Sequence, residues 1–362
     1  MKWSALSGSA KAILASVVLA AVVVSLGAFT RLVDAGLGCP DWPGCYGHIL
    51  WPDTAQEIAL AEQAFPDAPV DADKTWPEMV HRYFASALGF VILCFAVYSW
   101  KHRKQQNTPV KLPLFLLALV ILQGLFGMWT VTLKLWPQVV TTHLLGGFTT
   151  LTLLWLMFLR LSHRDWQLQK VTTSLTPRGL TRLRKLAMAG LVAVVLQISL
   201  GGWTTSNYAA LACVDFPTCH GELVPAMDFK EGFNFTQDIG PNYLGGVMDS
   251  DGRTAIHWSH RVGALVVTGV LLLLMAALIR TGSAHLKKLA GVIALVLAIQ
   301  IALGITNIVA ILPLSVAVAH NGVGALLLMV MATVNYRLWC FVSASEQDAA
   351  IGLNPTAVTS NI

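Results

Sequence analysis

The sequence predicts an all-α polytopic membrane protein with eight transmembrane helices, arranged as two tandem four-helix bundles related by a pseudo-two-fold axis along the membrane normal. Composition is the first observation behind this prediction: 55% of the 362 residues are hydrophobic and 12% are charged, and the mean hydropathy is +0.64. These values are typical of a chain that lies mostly in lipid. The other two observations are a series of long apolar stretches and an internal repeat.

The apolar stretches give the number of helices. A hydrocarbon core about 30 Å thick needs roughly 20 apolar residues per crossing, because backbone amides in lipid must be satisfied within the segment. The first stretch resembles a secretory signal peptide, but it has a counterpart in the fifth stretch and is therefore retained. Eight helices are predicted over residues 10–32, 78–100, 112–133, 139–161, 187–207, 255–280, 289–311 and 316–341.

A tandem duplication relates the two halves of the chain. Residues 26–47, LGAFTRLVDAGLGCPDWPGCYG, align without a gap with residues 200–221, LGGWTTSNYAALACVDFPTCHG. Further along, HRYFA at 81–85 corresponds to HRVGA at 260–264. Four crossings return the chain to its starting side, so the halves have the same orientation. We therefore predict an N-terminal half, a C-terminal half and a cytoplasmic tail, over residues 1–170, 171–345 and 346–362.

Charge gives the orientation in the membrane. The connections at 101–106, 164–185 and 285–288 are basic, whereas the long connections at 33–77 and 208–254 are rich in Asp and Glu. Basic connections favour the cytoplasm, so both termini are predicted to be cytoplasmic and the long connections to face outward. The net charge of +5 belongs to this asymmetry and gives no indication of nucleic-acid binding. The short stretch before the first helix leaves no room for a mitochondrial presequence, which favours a bacterial inner membrane.

Each outward connection contains a closely spaced cysteine pair. Cys39 and Cys45 flank a turn with Pro43 and Gly44, and Cys213 and Cys219 recur at the same spacing. In an oxidising compartment such pairs are usually joined, and the turn allows the Cα approach that a disulfide needs. Metal ligation and free thiols are the alternatives. A disulfide that closes so short a loop contributes little stability through chain entropy. A local or redox-responsive clamp is therefore the favoured interpretation.

Four histidines are predicted near the outer ends of the helices. His81 and His260 open the second helix of each half, and His143 and His320 lie just inside the fourth. Intramembrane ionisable residues indicate function by default, although any one of these could be a hydrogen-bonded packing histidine. Two imidazoles on facing helices, with no Cys, Asp or Glu to complete a tetrahedron, suit a haem iron better than zinc. Each half is therefore predicted to hold one haem.

The halves differ in one residue beside these histidines. Glu78 stands three residues before His81, whereas His257 stands three residues before His260. Residues at that spacing share a helix face, so Glu78 is expected to point toward the ligand of His81 and to transfer protons there. The alternative is a helix-end carboxylate that faces water.

Two arginines and a further histidine lie beside the four histidines. Arg82 and Arg261 follow His81 and His260 directly. They are candidates for pairing with haem propionates, and lipid headgroups or loop carboxylates are the alternatives. His257 is a second imidazole within reach of the iron of the C-terminal half.

Together, TRLVDAGLGCPDWPGC, EMVHR, TTHLLGG, HWSHR and AHNGVGALL resemble the haem A synthase family, over nearly the whole chain from residue 27 to about 328. The resemblance implies oxidation of a ring methyl of haem O to a formyl group, giving haem A for aa3-type cytochrome oxidases. It implies that haem O is bound in the N-terminal half, at positions matching Glu78, His81 and His143. It also implies a cofactor haem b in the C-terminal half, at positions matching His260 and His320.

The same resemblance implies partners that no motif in the sequence indicates on its own. Haem O synthase, oxidase assembly factors and an electron acceptor or donor are expected beside the lipid bilayer, and a homo-oligomer is compatible with the sequence. Two other functions fit the four histidines: a two-haem, quinol-linked electron carrier, and a haem transporter or chaperone. Only the synthase forms a formyl product, so haem extraction separates the three.

Overall fold

The computed structural model describes residues 6–105, 108–162, 171–173 and 175–343. Eight helices in this part of the chain are long and apolar enough to cross a membrane, as predicted. They are α1 (Gly8–Leu32), α3 (Ala72–Lys101), α4 (Lys111–Thr132), α5 (Pro137–Leu161), α6 (Pro177–Ser206), α8 (Ser250–Arg280), α9 (Ala284–Val309) and α10 (Leu314–Cys340).

Four of these helices begin five to ten residues before the apolar stretch that predicted them, namely α3, α6, α8 and α9. Polar capping residues explain three of the early starts, those of α3, α6 and α9. The Asp71 side chain accepts a hydrogen bond from the Asp73 amide at the start of α3. The Thr176 hydroxyl accepts one from the Gly179 amide at the start of α6. Because a cap satisfies the free amides of the first turn, the helix extends through polar residues that hydropathy alone excludes.

The long helices form two rings of four. In the N-terminal half α1 packs on α3 and α5, and α4 packs on the same two helices. In the C-terminal half α6 packs on α8 and α10, and α9 completes the ring in the same way. Helices α3 and α5 therefore lie diagonally across the first bundle, as α8 and α10 do across the second. The halves meet where α1 and α5 pack against α6 and α10.

Short elements occupy the connections. Two helices lie in the two long connections, α2 (Ala55–Ala64) and α7 (Phe229–Gly232). A parallel ladder that hydropathy did not predict joins β1 (Val171–Thr173) to β2 (Phe341–Ser343). The predicted cytoplasmic tail, 346–362, and the residues just before the predicted boundary between the halves, 163–170, lie outside the described residues.

Unusual backbone geometry recurs at matching positions of the two halves. The peptide bonds Trp42–Pro43 and Phe216–Pro217 are both cis. Positive φ angles occur at Asp34 (53°) and Tyr208 (55°), which are corresponding residues of the repeat. Another matched pair, Tyr46 and His220, has φ angles of 54° and 56°. The duplicated sequence therefore forms the same local backbone twice, while the pseudo-two-fold axis itself stays a prediction.

Candidate functional site

The predicted histidine pairs lie on the diagonal helices of each bundle. His81 is on α3 and His143 is on α5. Their ring centroids are 6.5 Å apart and the ring planes are nearly perpendicular, at 89°. In the second half His260 is on α8 and His320 is on α10, which are the corresponding helices. Each bundle therefore carries two imidazoles on diagonally opposite helices.

A glycine on the neighbouring helix faces each of these imidazoles. A Cβ atom added at Gly27, Gly201 or Gly304 would lie 2.9, 3.2 or 3.1 Å from the Cε1 atom of the facing histidine, and at Gly127 it would lie 3.6 Å away. The facing histidines are His81, His260, His320 and His143, in that order. The sequence analysis missed these glycines as site residues, although Gly27 and Gly201 are matched in the repeat that revealed the halves.

The histidine pairs fit the axial ligands of a haem. A coordinated imidazole nitrogen lies about 2 Å from its metal. A metal bound between two imidazoles therefore separates the ring centroids by about the distance found between His81 and His143. The Nδ1 atoms of His81, His143 and His320 are buried without a hydrogen-bond partner. Among the described residues no group of three or more His, Cys, Asp or Glu side chains could hold a metal ion. The donor set is therefore a pair of imidazoles per half, which suits an iron held in a macrocycle.

Glu78 is buried and faces the cysteine loop. Its exposed fraction is 5%, so the alternative of a water-facing helix end is wrong. One carboxylate oxygen, Oε2, accepts a hydrogen bond from the Cys39 amide at 2.9 Å. The other, Oε1, accepts from Arg82 Nη2 at 2.5 Å, in an ion pair whose two side chains are both largely buried. The carboxylate thus connects α3 to the first cysteine loop.

The two arginines bind the backbone of the cysteine loops. Arg82 Nη1 donates to the Asp41 carbonyl at 3.1 Å and the Gly44 carbonyl at 2.5 Å. Arg261 donates to the Thr218 carbonyl at 2.7 Å and, through Nη2, to the Cys213 carbonyl at 2.8 Å. A guanidinium offers several donors in a fixed plane, so one side chain can hold several carbonyls of a turn. Loop carbonyls were not among the partners considered from the sequence.

His257 takes the place of Glu78 in the second half. Its Nδ1 accepts from the Cys213 amide at 3.2 Å, and its Nε2 lies 3.2 Å from Arg261 Nε. A neutral imidazole has one bare nitrogen, so it accepts only one of these bonds at a time, whereas a carboxylate accepts both. Both ring nitrogens face the loop and its arginine. This arrangement leaves His260 as the imidazole of α8 that faces the glycine of α6.

Both predicted disulfides are formed. Cys39–Cys45 and Cys213–Cys219 have Cα separations of 4.8 and 4.9 Å, within the range that a disulfide allows. An aspartate inside each loop accepts from the backbone beyond the second cysteine. Asp41 binds the amides of Tyr46 (2.6 Å) and Gly47 (2.9 Å). Each loop is therefore closed twice, by a disulfide and by a carboxylate.

Asp215 repeats this arrangement in the second loop. It binds the amides of His220 (2.8 Å) and Gly221 (2.9 Å). The Thr218 hydroxyl, followed by these amides, holds the pKa of Asp215 well below its usual range, because each donor favours the charged form.

Comparisons with known proteins agree with this architecture. A family model described as COX15-CtaA, cytochrome oxidase assembly protein, matches residues 10–332. A protein of Shewanella oneidensis named "Heme A synthase" is 44% identical over 324 residues, which cover 90% of this chain and 94% of that protein. Proteins of the same name from Methylobacterium radiotolerans and Chelativorans are 30% and 29% identical, over 88% and 87% of this chain and 87% and 86% of theirs.

Proposed function

This chain belongs to the COX15-CtaA family of cytochrome oxidase assembly proteins, and from that premise we propose that it is an oxidoreductase that converts haem O to haem A. The reaction oxidises a ring methyl of haem O to a formyl group through successive hydroxylation. Relatives that carry the name "Heme A synthase" and align over most of their length support this activity.

The observation that carries the proposal is the pair of imidazoles in each bundle. Each imidazole faces a glycine on the neighbouring helix, where a side chain would occupy the space beside the ring. Four ligands of one kind, two per bundle, match a protein that handles two haems. The iron supplies the redox chemistry, and the protein supplies axial ligands, position and proton transfer.

We assign the substrate to the N-terminal half. His81 and His143 would hold the iron of haem O. The buried Glu78 lies one turn before His81 and supplies the only carboxylate of the two matched positions, since its counterpart is His257. His260 and His320 would hold a cofactor haem b, which passes electrons.

Glu78 has two roles in the proposed function. As a carboxylate it accepts or donates the protons that accompany oxidation of the methyl group. As an acceptor for the Cys39 amide and Arg82, it also holds the cysteine loop against α3. A loop fixed in this way would limit the access of water to the reacting carbon and so protect a partly oxidised substrate.

We further propose a bacterial inner membrane location, with both termini cytoplasmic and both cysteine loops outside. The basic connections and the acidic long connections support this orientation. Haem O synthase, oxidase assembly factors and an electron acceptor or donor are the proposed partners, and a homo-oligomer is compatible with the fold.

Substitution of Glu78 tests the activity. Glu78→Gln keeps a carbonyl oxygen for the Cys39 amide but removes the ionisable group, so haem A formation should fall about 10²- to 10⁴-fold. Haem extraction and mass spectrometry of cells expressing the variant should show haem O or a hydroxylated intermediate.

The matched control is His257→Gln, which alters the corresponding loop contact in the other half. It should reduce haem A formation far less than Glu78→Gln does. Haem A made at the parent rate by Glu78→Gln would contradict the proton-transfer role, and a parent chain that makes no haem A from haem O would contradict the function.

A further inference from the structure

We propose that Gln197 is a positioning residue for the His260 imidazole, and that it distinguishes the C-terminal histidine pair from the N-terminal pair. The inference deepens the proposed function, because it rests on His260 holding the iron of a cofactor haem. Gln197 lies on α6 and His260 on α8, which are adjacent helices of the second bundle.

The Gln197 amide packs directly against His260. Its Nε2 atom lies 3.1 Å from His260 Nδ1 and 2.9 Å from the His260 carbonyl oxygen. Contact at Nδ1 leaves the other ring nitrogen, Nε2, free to face a metal. The second amide atom, Oε1, is buried and has no hydrogen-bond partner in the described part of the chain. A buried polar atom without a partner is costly, which indicates that it acquires one in the working protein.

A glycine on α8 makes room for this amide. A Cβ at Gly263 would collide with Gln197 Oε1. In the N-terminal half the corresponding residues are Val23 and Phe84. The Val23 side chain has no polar atom for His81, whose Nδ1 is buried without a hydrogen-bond partner. The two halves therefore differ in a coordinated way: an amide and a glycine beside His260 correspond to a valine and a phenylalanine beside His81.

The chemistry of a metal-bound imidazole explains why an amide side chain lies beside His260. When Nε2 binds a metal, the ring proton resides on Nδ1 and needs an acceptor. Rotation about the last torsion of Gln197, which is soft, gives up the Nε2 hydrogen bond to the His260 carbonyl and turns Oε1 toward Nδ1, away from that carbonyl, where it supplies the acceptor. The hydrogen bond orients the ring and makes it a stronger electron donor to the metal. A stronger donor favours the oxidised metal, so the amide lowers the reduction potential of a haem at His260.

The test uses the full chain purified with its haem b, in a redox titration followed by absorbance and in the low-spin electron paramagnetic resonance spectrum. His260→Ala should abolish the b-haem signal, which assigns the signal to this site. Gln197→Leu removes the acceptor at nearly constant size, so the midpoint potential should rise and the haem should bind about 10- to 100-fold more weakly. Gln197→Glu supplies a stronger acceptor, so the potential should fall below that of the parent.

Shifts in opposite directions separate an electronic role from a packing role, because Gln197→Glu keeps the shape of glutamine and a packing change alone would not lower the potential. Gly263→Ala crowds the amide and should shift the potential in the same direction as Gln197→Leu. The matched control is Gln123→Leu in the other half, at a glutamine whose Oε1 atom is likewise buried without a partner, and it should leave the potential unchanged. Equal potentials in the parent, Leu and Glu proteins would overturn the inference, as would an equal shift in the control. Haem A formation is measured separately, so failure of the proposed activity leaves the shift in potential interpretable.

Discussion

At the scale of single residues, a glycine opposite each predicted axial histidine is the feature that the two bundles share most closely. The Cβ positions at Gly27, Gly201 and Gly304 would lie within 3.2 Å of the facing ring. Contacts this short would force the facing imidazole to move, and a displaced imidazole would no longer be oriented to bind a metal. The glycines therefore set the depth of each imidazole in the bundle, and any side chain there competes with the ligand for space.

A side chain at Gly201 should therefore weaken haem binding in the second half. Gly201→Val places two methyl groups against His260, so the haem b content of the purified protein should fall several-fold. Gly269→Val is the control, because a Cβ at Gly269, on the same bundle, meets nothing within 4 Å. The measurement is the haem-to-protein ratio from absorbance. Equal ratios in the Gly201→Val and Gly269→Val proteins would show that the glycine does not limit the site.

At the scale of elements, each cysteine loop is a small module bound to the next long helix of its half, α3 or α8. The first loop is closed by Cys39–Cys45, and its backbone binds Arg82 and Glu78 of α3. The second loop repeats these fastenings with Arg261 and His257. Because the fastening residues flank His81 and His260 on the same helices, the position of each loop is coupled to the position of an imidazole.

Opening the first disulfide should affect activity more than folding. On the chain-entropy estimate, a loop with a sequence separation of 6 is stabilised by only about 2 kcal/mol. The Glu78 and Arg82 contacts remain after the change. In Cys39→Ser, haem A formation should fall while the yield of folded, haem b-containing protein stays near that of the parent. Cys213→Ser is the matched control in the other half and should lower haem A formation less. Similar loss of folded protein and activity in Cys39→Ser would indicate that the loop is a folding element.

The second loop should open in acid. Hydrogen bonds from Thr218 and the loop amides depress the pKa of Asp215 in the folded loop. Its contribution to stability is therefore complete above the unfolded value of about 3.9 and is lost as the pH falls through the depressed folded value. Exchange protection of the His220 and Gly221 amides, corrected for intrinsic rates, should be constant from pH 7 to about 5 and should fall below about 4. Asp215→Asn should show reduced protection from pH 7 to about 5 and no further loss in acid, and full protection in that variant at pH 7 would contradict the role.

The elements could be predicted from the sequence more completely than the directions of their side chains. Hydropathy and the repeat were sufficient for eight helices and for the cysteine pairs, because lipid exposure and an outward loop each constrain residue type strongly. The direction of Glu78 was not accessible. Helical spacing places it near the face of His81, but the deciding interaction is an amide of Cys39, 39 residues away in the chain. The glycines that face the histidines were missed for the same reason, since each acts on a ring of another helix.

At the scale of the whole molecule, polar contacts join the two halves at the ends of the helices from which the cysteine loops extend. Arg31 donates to the Thr205 carbonyl at 2.6 Å and lies 4.0 Å from the ring centroid of Tyr208. The Tyr208 hydroxyl donates to Asp34 at 2.9 Å. A segment of the second long connection also reaches the first half, where the Tyr243 amide donates to the Lys134 carbonyl. Arg31 and Thr205 lie four residues beyond Gly27 and Gly201, the glycines that face His81 and His260, so the halves are connected about one helical turn from the two sites, which favours a fixed distance between them.

Removing one of these contacts should loosen the connection between the halves. Tyr208→Phe keeps the ring under Arg31 but deletes the bond to Asp34, so stability should fall by about 1 kcal/mol. Arg31→Gln loses the ion pair with Asp34 and the cation–π contact as well and should be more destabilising. Thermal unfolding in detergent measures both, with the exposed Tyr98→Phe as control. A Tyr208→Phe protein as stable as the control would show that the contact is not needed to hold the halves together.

The bond between Tyr208 and Asp34 also bears on the evolution of the chain, because these residues occupy the same position of the duplicated sequence. In a symmetric dimer of identical halves, a residue on the two-fold axis meets its own copy. An aspartate there would face another aspartate, and a tyrosine would face another tyrosine. Fusion of two genes into one removes that restriction, since each copy can then mutate alone. An unlike pair at this position is therefore a mark of divergence after fusion, and the same freedom would have allowed one half to keep a glutamate beside its histidine while the other acquired an imidazole.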